Sequence, residues 1–144
     1  MIRPTFESIC MGIAQSLSMR STCLRTSSEG KLMQVGCVIA TPDFRKILSW
    51  GYNGNAAGLP NACDSDVPGA CGCIHAEANA VVNCDAPRAT EKLVFATHLP
   101  CAACAKLLIN LGNVKEVIYL HDYRIRVGLE LFDKVGIKHR QYKD

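Results

Sequence analysis

A histidine, a glutamate and two cysteines stand in two short motifs whose spacing is typical of a metal centre. The first motif is His75-Ala76-Glu77 and the second is Pro100-Cys101-Ala102-Ala103-Cys104. A catalytic zinc ion generally takes three protein ligands and keeps its fourth position for a water molecule, whose pKa it lowers to about 7. His75, Cys101 and Cys104 supply three such ligands, and Glu77 is left beside them as an acid and base. The two motifs together predict a hydrolytic zinc site.

Each motif has a more ordinary interpretation when it is taken alone. A Cys-x-x-Cys pair can be a redox dithiol or half of a structural zinc site, and a His-x-Glu triplet carries almost no information. The proline before Cys101 and the upstream His-x-Glu favour the arrangement of zinc deaminases, in which a glutamate that is not a ligand moves protons. A zinc-binding regulatory or nucleotide-sensing module without catalysis is the alternative, and the intact ligands together with Glu77 argue against it.

The composition predicts one enzyme domain over residues 1–144. Hydrophobic residues make up 49% of the chain and charged residues 20%, which allows a single core. The net charge is +3 and the 16 lysines and arginines are scattered, so we expect no binding of duplex nucleic acid or of a membrane surface. The cysteines number nine, an odd count, and the N-terminal segment lacks the pattern of an export signal. Metal binding in the cytoplasm is therefore favoured over a disulfide framework.

The elements that must position the motifs alternate between helices and strands. Helical spacing after Pro4 predicts a first helix, and Gln34–Ala40 with Lys46–Tyr52 predict an antiparallel hairpin. The rest of the pattern predicts helices at 75–83, 101–111 and 125–134 and strands at 92–97, 114–120 and 136–142. A helix between two strands is the crossover that parallel pairing needs. We therefore expect an α/β fold whose last three strands are parallel, with the chemistry at their carboxyl ends.

These motifs resemble those of the deoxycytidylate (dCMP) deaminase family of the cytidine deaminase superfamily. The resemblance rests on His75–Ala80, Pro100–Lys106 and Gly51–Gly54, and it extends from about Val35 to Gly136. It implies a three-layer α/β/α fold with a five-stranded mixed sheet. It also implies zinc-dependent hydrolysis of dCMP to dUMP and ammonia, which supplies dUMP for thymidylate synthesis. Deaminases of a free nucleoside or of a tRNA adenosine share both zinc motifs and remain the alternative.

The resemblance also implies roles for four residues that bind the substrate. The Ala76 backbone contacts the base, Asn53 contacts the sugar hydroxyl, and Tyr123 and Arg25 face the 5′-phosphate. An arginine suits a phosphate because its guanidinium group can donate two parallel hydrogen bonds. Each residue has an ordinary alternative: Asn53, between two glycines, could form a left-handed turn, and Tyr123 could be half-buried packing.

Two other arginines and one histidine lie near these positions in the sequence. Arg124 and Arg126 compete with Arg25 for the phosphate, and the sequence does not separate the three. His98, just before the second zinc motif, could line the pocket or cap the end of a strand.

Regulation and assembly are further implications of the resemblance. In this family dCTP activates and dTTP inhibits, with Mg²⁺ as a companion of the triphosphate, and members commonly form homo-hexamers. The effector loop is placed at residues 51–61, where glycines could bring backbone amides close to phosphates. Its candidate residues are Gly51, Tyr52, Gly54, Asn55, Gly58 and Asn61. A plain flexible loop is the alternative.

A separate group of cysteines surrounds the loop at residues 61–73. Some family relatives hold this loop with a second, structural zinc ion. Cys63, Cys71 and Cys73 belong to the loop, and Cys23 could complete the four thiolates that structural zinc prefers. The Cys71-x-Cys73 spacing is unusual for such a site, and free buried thiols are the alternative. The remaining cysteines outside the motifs, Cys10, Cys37 and Cys84, are expected to be small core residues.

Overall fold

The computed structural model describes residues 1–144 and contains four helices and five strands in the predicted order. The hydrophobic periodicity therefore identified every element, and the predicted ends lie within two residues of the observed ones. None of the helices has the length and apolar character needed to cross a membrane. The elements are α1 (Phe6–Ser18), β1 (Gly36–Ala40), β2 (Ile47–Tyr52), α2 (Ala76–Asn83), β3 (Lys92–His98), α3 (Ala102–Leu111), β4 (Val114–His121), α4 (Val127–Val135) and β5 (Lys138–Gln141).

The five strands form one mixed sheet in the order β2-β1-β3-β4-β5. Strand β1 is antiparallel to both β2 and β3, whereas β3, β4 and β5 are parallel to one another. The prediction of three parallel strands is confirmed. Because β3 and β4 are parallel neighbours, their carboxyl ends lie side by side, with His98 opposite His121.

Helices cover both faces of the sheet and form a three-layer α/β/α arrangement. On one face, Met11 and Ala14 of α1 pack with Val38 of β1 and Phe95 of β3. On the other face, α2, α3 and α4 pack over a second core that includes Leu108. Strands buried on both faces consist of nearly continuous apolar residues, as the sequence of β3 shows.

The three cysteines expected in the core differ in their burial. Cys10 and Cys37 are buried, one on each face of the sheet, which confirms the prediction. Cys84 is wrongly predicted: it is only half-buried, because it is the C-cap of α2, where the helix ends.

Gly51 allows α2 to lie directly on strand β2. A Cβ atom at this position would stand 2.5 Å from the carbonyl oxygen of Ala76 and 2.6 Å from the nitrogen of Ala80. The side-chain amide of Asn79 also donates to the carbonyl of Tyr52 over 2.9 Å. Gly51 and Tyr52 are thus part of strand β2, as the predicted hairpin has them, and the loop with the other candidate effector residues begins after Tyr52. The close contact fixes the beginning of α2.

Candidate active site

The three predicted metal ligands converge where α2 and α3 begin. His75 is the N-cap of α2, Cys101 is the N-cap of α3, and Cys104 lies in the first turn of α3. His75 Nδ1 is 3.5 Å from Cys101 Sγ and 3.3 Å from Cys104 Sγ. A nitrogen and a sulfur bound to one tetrahedral zinc ion are about 3.5 Å apart, since the two bonds are about 2.0 and 2.3 Å long. The three side chains therefore fit one zinc ion.

Hydrogen bonds to Cys101 keep its sulfur in the charged form. The side chains of Cys104 and His75 hold the pKa of Cys101 down to about 3, and the backbone N–H of Cys104 also points at its sulfur. The pKa of Cys104 is raised in turn, because it shares its proton with Cys101. A metal ion that takes both sulfurs replaces that proton, since the thiolate is the form that binds metals.

Glu77 lies beside this group without belonging to it. Its side chain is 4% exposed, in the first turn of α2, and the potential metal ligands that cluster here are His75, Cys101 and Cys104. Burial raises the pKa of the Glu77 carboxyl, while a hydrogen bond to Cys104 opposes the shift. A carboxyl group whose pKa moves toward neutral pH can both accept and return a proton.

A cavity of about 430 Å³ opens next to the metal ligands. This volume is in the range of sites that bind small molecules. The cavity is lined by His75, Cys101 and Glu77, and it also brings together all four predicted substrate-binding residues, namely Arg25, Asn53, Ala76 and Tyr123. Their placement around one cavity is compatible with the roles predicted for them.

Asn53 is 2% exposed and holds the segment that precedes β1. Its Oδ1 accepts from the Val35 N–H over 2.8 Å, and its Nδ2 donates to the Met33 carbonyl over 2.6 Å. The alternative of a left-handed turn is wrong, because positive φ angles outside glycine occur at Phe44 and Asn113. Asn53 thus positions one wall of the cavity and also faces it.

Tyr123 lies at the cavity, in the segment after β4, and is 47% exposed. Its N–H donates to Asp122 over 2.8 Å, which turns the chain at this point. Arg126 forms an ion pair with the same carboxylate, whereas Arg124 lines the cavity. The structure thus leaves Arg25 and Arg124 as the arginines available to a phosphate group.

The segment between α1 and β1 forms a small hairpin that the sequence analysis did not predict. The Met33 N–H donates to the Arg25 carbonyl over 2.9 Å, and the Ser27 N–H donates to the Lys31 carbonyl over 2.8 Å. Gly30 turns the chain with a φ of 78°. Residues 26–28 line the cavity. The Ser-Ser-Glu-Gly sequence is a turn signal that would have located this hairpin.

His98 lines the cavity, which decides between its two predicted roles. The Thr97 hydroxyl accepts from the Gly36 N–H over 3.1 Å and lies 2.9 Å from His98 Nδ1. The hydroxyl and Nδ1 are within hydrogen-bond distance, and the tautomer of the ring sets which of them donates. Burial, together with the neighbouring His121, lowers the pKa of His98 to about 4. His98 is thus a neutral imidazole at neutral pH.

The candidate effector residues after β2 are more constrained than predicted. Gly54 exchanges two backbone hydrogen bonds with Ile74, of 3.1 and 2.7 Å, so the expectation of a free amide at Gly54 is wrong. The Asn55 side chain donates to Asp64 over 2.7 Å. Gly58, with a φ of 89°, has no heavy atom within 4 Å of where a Cβ would stand, and it remains open.

The structure also assembles the second set of cysteines. Their sulfur atoms all lie within 4.8 Å of one another, on the side of Arg25 and His75 away from the main cavity. The members of this four-cysteine cluster are Cys23, Cys63, Cys71 and Cys73.

Two helices that begin at one metal position, with a buried carboxyl group set apart from the ligands, define the class of zinc-dependent deaminases. Residues 12–121 match the family described as the cytidine and deoxycytidylate deaminase zinc-binding region. The chain belongs to that family.

Named relatives are found among phage and fungal proteins. The deoxycytidylate deaminase of Mycobacterium phage D29 is 31% identical over 134 residues, which cover 83% of this chain and 97% of the relative. That of Schizosaccharomyces pombe is 28% identical over 97% of this chain. The alignment covers 45% of that relative, so the chain spans about half its length.

A solved structure shares both the fold and detectable sequence identity. The dCMP deaminase of cyanophage S-TIM5, crystallised in complex with dCMP and dUMP, has a TM-score of 0.81 and 28% sequence identity to this chain. The match covers 99% of this chain and 100% of that one.

Proposed function

We propose that the protein catalyses the hydrolytic deamination of dCMP to dUMP and ammonia. One observation carries the proposal: a single cavity combines the three metal ligands and a buried carboxyl group with two arginines that can bind a phosphate. The similarity to the deoxycytidylate deaminase of phage D29 supports the same substrate. The nucleotides bound to the cyanophage protein support it as well.

Each chemical step can be assigned to a residue of the cavity. Zinc held by His75, Cys101 and Cys104 would supply water of lowered pKa as the nucleophile for C4 of the cytosine ring. Glu77 accepts a proton as water attacks and delivers it to N3. It then moves a proton to the amino group, which leaves as ammonia with the electrons of the C4–N bond. One water is consumed, and the ring becomes uracil.

The remaining residues orient the nucleotide. The Ala76 N–H is at the first position of α2, where no carbonyl of the helix can accept its hydrogen bond, so it is available to the base. Asn53 is assigned to the sugar hydroxyl, and Tyr123 to the side of the phosphate. Arg25 is assigned to the phosphate itself.

Phosphate recognition is tested by comparing dCMP with deoxycytidine, CMP and dCTP as substrates. When deoxycytidine binds, the donors that would contact a phosphate stay buried and unpaired. A site of this kind can favour the substrate with the phosphate on the order of 10⁴-fold in kcat/KM. We expect dCMP to be preferred over deoxycytidine and Arg25→Ala to remove most of the preference. Arg45→Ala, at an exposed turn outside the cavity, is the control. Equal kcat/KM for dCMP and deoxycytidine rejects the proposal, and a loss confined to Arg124→Ala transfers the role to that residue.

We also propose that dCTP with Mg²⁺ activates the enzyme and that dTTP inhibits it, which would match dUMP supply to the need for thymidylate. The family resemblance and the open backbone at Gly58 support an effector site near residues 54–61. Asn53 supports coupling, because it directly precedes this segment and faces the cavity. A coupling of about 1–3 kcal/mol suffices for a 5- to 150-fold change in affinity. Saturation curves for dCMP that superimpose with and without either triphosphate would exclude regulation.

The assembled form is proposed on the same resemblance: a homo-oligomer, for which a hexamer is the common form in the family. Exposed apolar side chains on the edge strand β2, Ile47 and Trp50, support an interface there. A cytoplasmic location is supported by the nine free cysteines, because thiols persist in a reducing compartment.

A further inference from the structure

We propose that His98 contacts the C5 edge of the cytosine ring and determines which substituents at C5 the site accepts. The inference rests on the proposed function, because it takes the orientation of the base from the deamination of dCMP. His98 is the last residue of β3, and Cys101 follows three residues later. The side chain lines the cavity, yet none of the chemical steps uses it. It is thus available to select the substrate.

Contacts outside the cavity fix the imidazole ring of His98. Its Nδ1 is 2.9 Å from the hydroxyl of Thr97, and that hydroxyl accepts from the Gly36 N–H over 3.1 Å. The ring of His121 packs against the ring of His98, with 4.9 Å between their centroids. Neither Thr97 nor His121 lines the cavity. A side chain held by such supporting contacts presents one geometry to a ligand.

The second ring nitrogen, Nε2, remains for a ligand. The hydrogen bond that the ring makes within the chain uses Nδ1 and Thr97. The ring carries no charge at neutral pH, because burial and the neighbouring His121 lower its pKa to about 4. Nε2 donates in one tautomer and accepts in the other, and a hydroxyl group can do either. His98 therefore suits an uncharged polar group, whichever tautomer it adopts.

The position of His98 in the sheet assigns it to C5 rather than to N3. In the proposed reaction C4 lies at the metal, and Glu77 exchanges a proton with N3, one of the two ring neighbours of C4. C5 is the other neighbour, so it points away from Glu77. Helix α2, which carries Glu77, packs on β2 at Gly51, whereas His98 ends β3, and β1 lies between these two strands. The flank of the base away from α2 therefore meets His98.

Substituents at C5 should be distinguished by whether they pair with Nε2. The hydroxyl of a hydroxymethyl group can form a hydrogen bond with this nitrogen, whereas a methyl group leaves it without a partner. A buried polar group that stays unpaired costs free energy, and a site that hydrogen-bonds a hydroxyl can reject the analogue without it by about 10⁴-fold. His98 is only half-buried, so we expect a smaller preference, on the order of 10-fold.

The kcat/KM values for 5-hydroxymethyl-dCMP and 5-methyl-dCMP test the inference. We expect the wild type to favour the hydroxymethyl compound on the order of 10-fold, and His98→Leu to lose this preference because leucine has no ring nitrogen. His139→Leu is the matched control, because His139 lies in β5 outside the cavity, and it should keep the preference. Equal values in the wild type, or a preference that His98→Leu retains, would overturn the inference.

Thr97 provides a second set of variants, since its hydroxyl positions the ring. Thr97→Val should weaken the preference, and Thr97→Ser, which keeps the hydroxyl, should restore it. The kcat/KM for dCMP, measured on the same preparations, separates the two claims. A wild type that does not turn over dCMP rejects the proposed function. Turnover of dCMP without any effect of His98→Leu on the preference rejects the inference alone.

A measurement on the wild-type protein covers the case in which His98→Leu does not fold. The product dUMP keeps a hydrogen atom at C5 and is not consumed. In protein saturated with dUMP, we expect a nuclear Overhauser effect between this hydrogen and the ring hydrogens of His98. Contacts of the same hydrogen with other residues and not with His98 would overturn the inference. Absence of binding of both dUMP and dCMP would instead count against the proposed function.

Discussion

At the scale of single residues, Glu77 separates proton transfer from metal binding. Because it stands outside the ligand group, Glu77→Gln should keep the catalytic zinc and lose at least the 10²- to 10⁴-fold in kcat that is typical of a general acid and base. His75→Ala should lose activity and metal together. Zinc content and kcat measured on the same preparations check both statements. A Glu77→Gln enzyme with nearly wild-type kcat would remove this residue from the mechanism.

His98 gives a second prediction at this scale, for stability against pH. Its pKa is about 4 in the folded chain and about 6.5 in the unfolded chain. Between these values the unfolded chain binds a proton that the folded chain does not, so the free energy of unfolding falls as the pH falls through this window. Between pH 7 and 5 the free energy of unfolding should fall in the wild type by about 1 kcal/mol more than in His98→Asn. The difference is no larger because His98 is partly exposed. Urea unfolding at the two pH values measures this fall for each protein. An equal fall in the wild type and in His98→Asn would contradict the prediction.

Sequence alone predicted the three candidate metal ligands that the structure brings together. His75, Cys101 and Cys104 could be predicted because each motif lies within one helical turn. The hydrogen bonds of Asn53 to residues 33 and 35 could not, because they join segments whose distance in space the sequence does not show. Lys92 is a similar case. It begins β3 as a charged residue, yet it is fully buried, with its ammonium donating to the carbonyls of Thr90 and Gly112 over 2.7 and 2.8 Å.

At the scale of elements, the contact between β2 and α2 determines where the site residues of α2 stand. Gly51→Ala would push a methyl group into the α2 backbone, and overpacking of this kind costs about 1–3 kcal/mol. We expect a lower Tm together with weaker zinc retention. Gly12→Ala is the matched control, because it lies inside α1 with nothing within 4 Å and should stabilise by about 0.5–1 kcal/mol. Equal Tm values for Gly51→Ala and the wild type would show that α2 is not held by this contact.

The elements themselves were predictable because apolar periodicity is a local property. The crossovers then fixed the parallel pairing of the last three strands. The hairpin at residues 25–33 was missed, because its hydrogen bonds depend on the turn at Gly30 rather than on periodicity. The close approach at Gly51 was missed for another reason, since a glycine predicted within a strand does not show that a helix packs on it until the opposing helix is known.

At the scale of the whole molecule, the edge of the sheet bears on assembly. Trp50 on the edge strand β2 is 50% exposed. We expect light scattering to give the mass of six chains of 15.7 kDa and Trp50→Glu to yield smaller species. Val135→Glu, exposed in α4 toward the opposite edge, should leave the mass unchanged. A monomeric wild-type protein at micromolar concentration would exclude the hexamer.

The most direct test of the central claim is to incubate the zinc-loaded protein with dCMP and quantify the products. We expect one dUMP and one ammonia for each dCMP consumed, because the cavity combines Glu77 with the metal ligands and the arginines. The rate should fall by at least 10²-fold when Glu77→Gln with equal zinc content replaces the wild type. Unchanged dCMP after prolonged incubation with folded, zinc-loaded wild-type protein, with and without Mg-dCTP, would contradict the account.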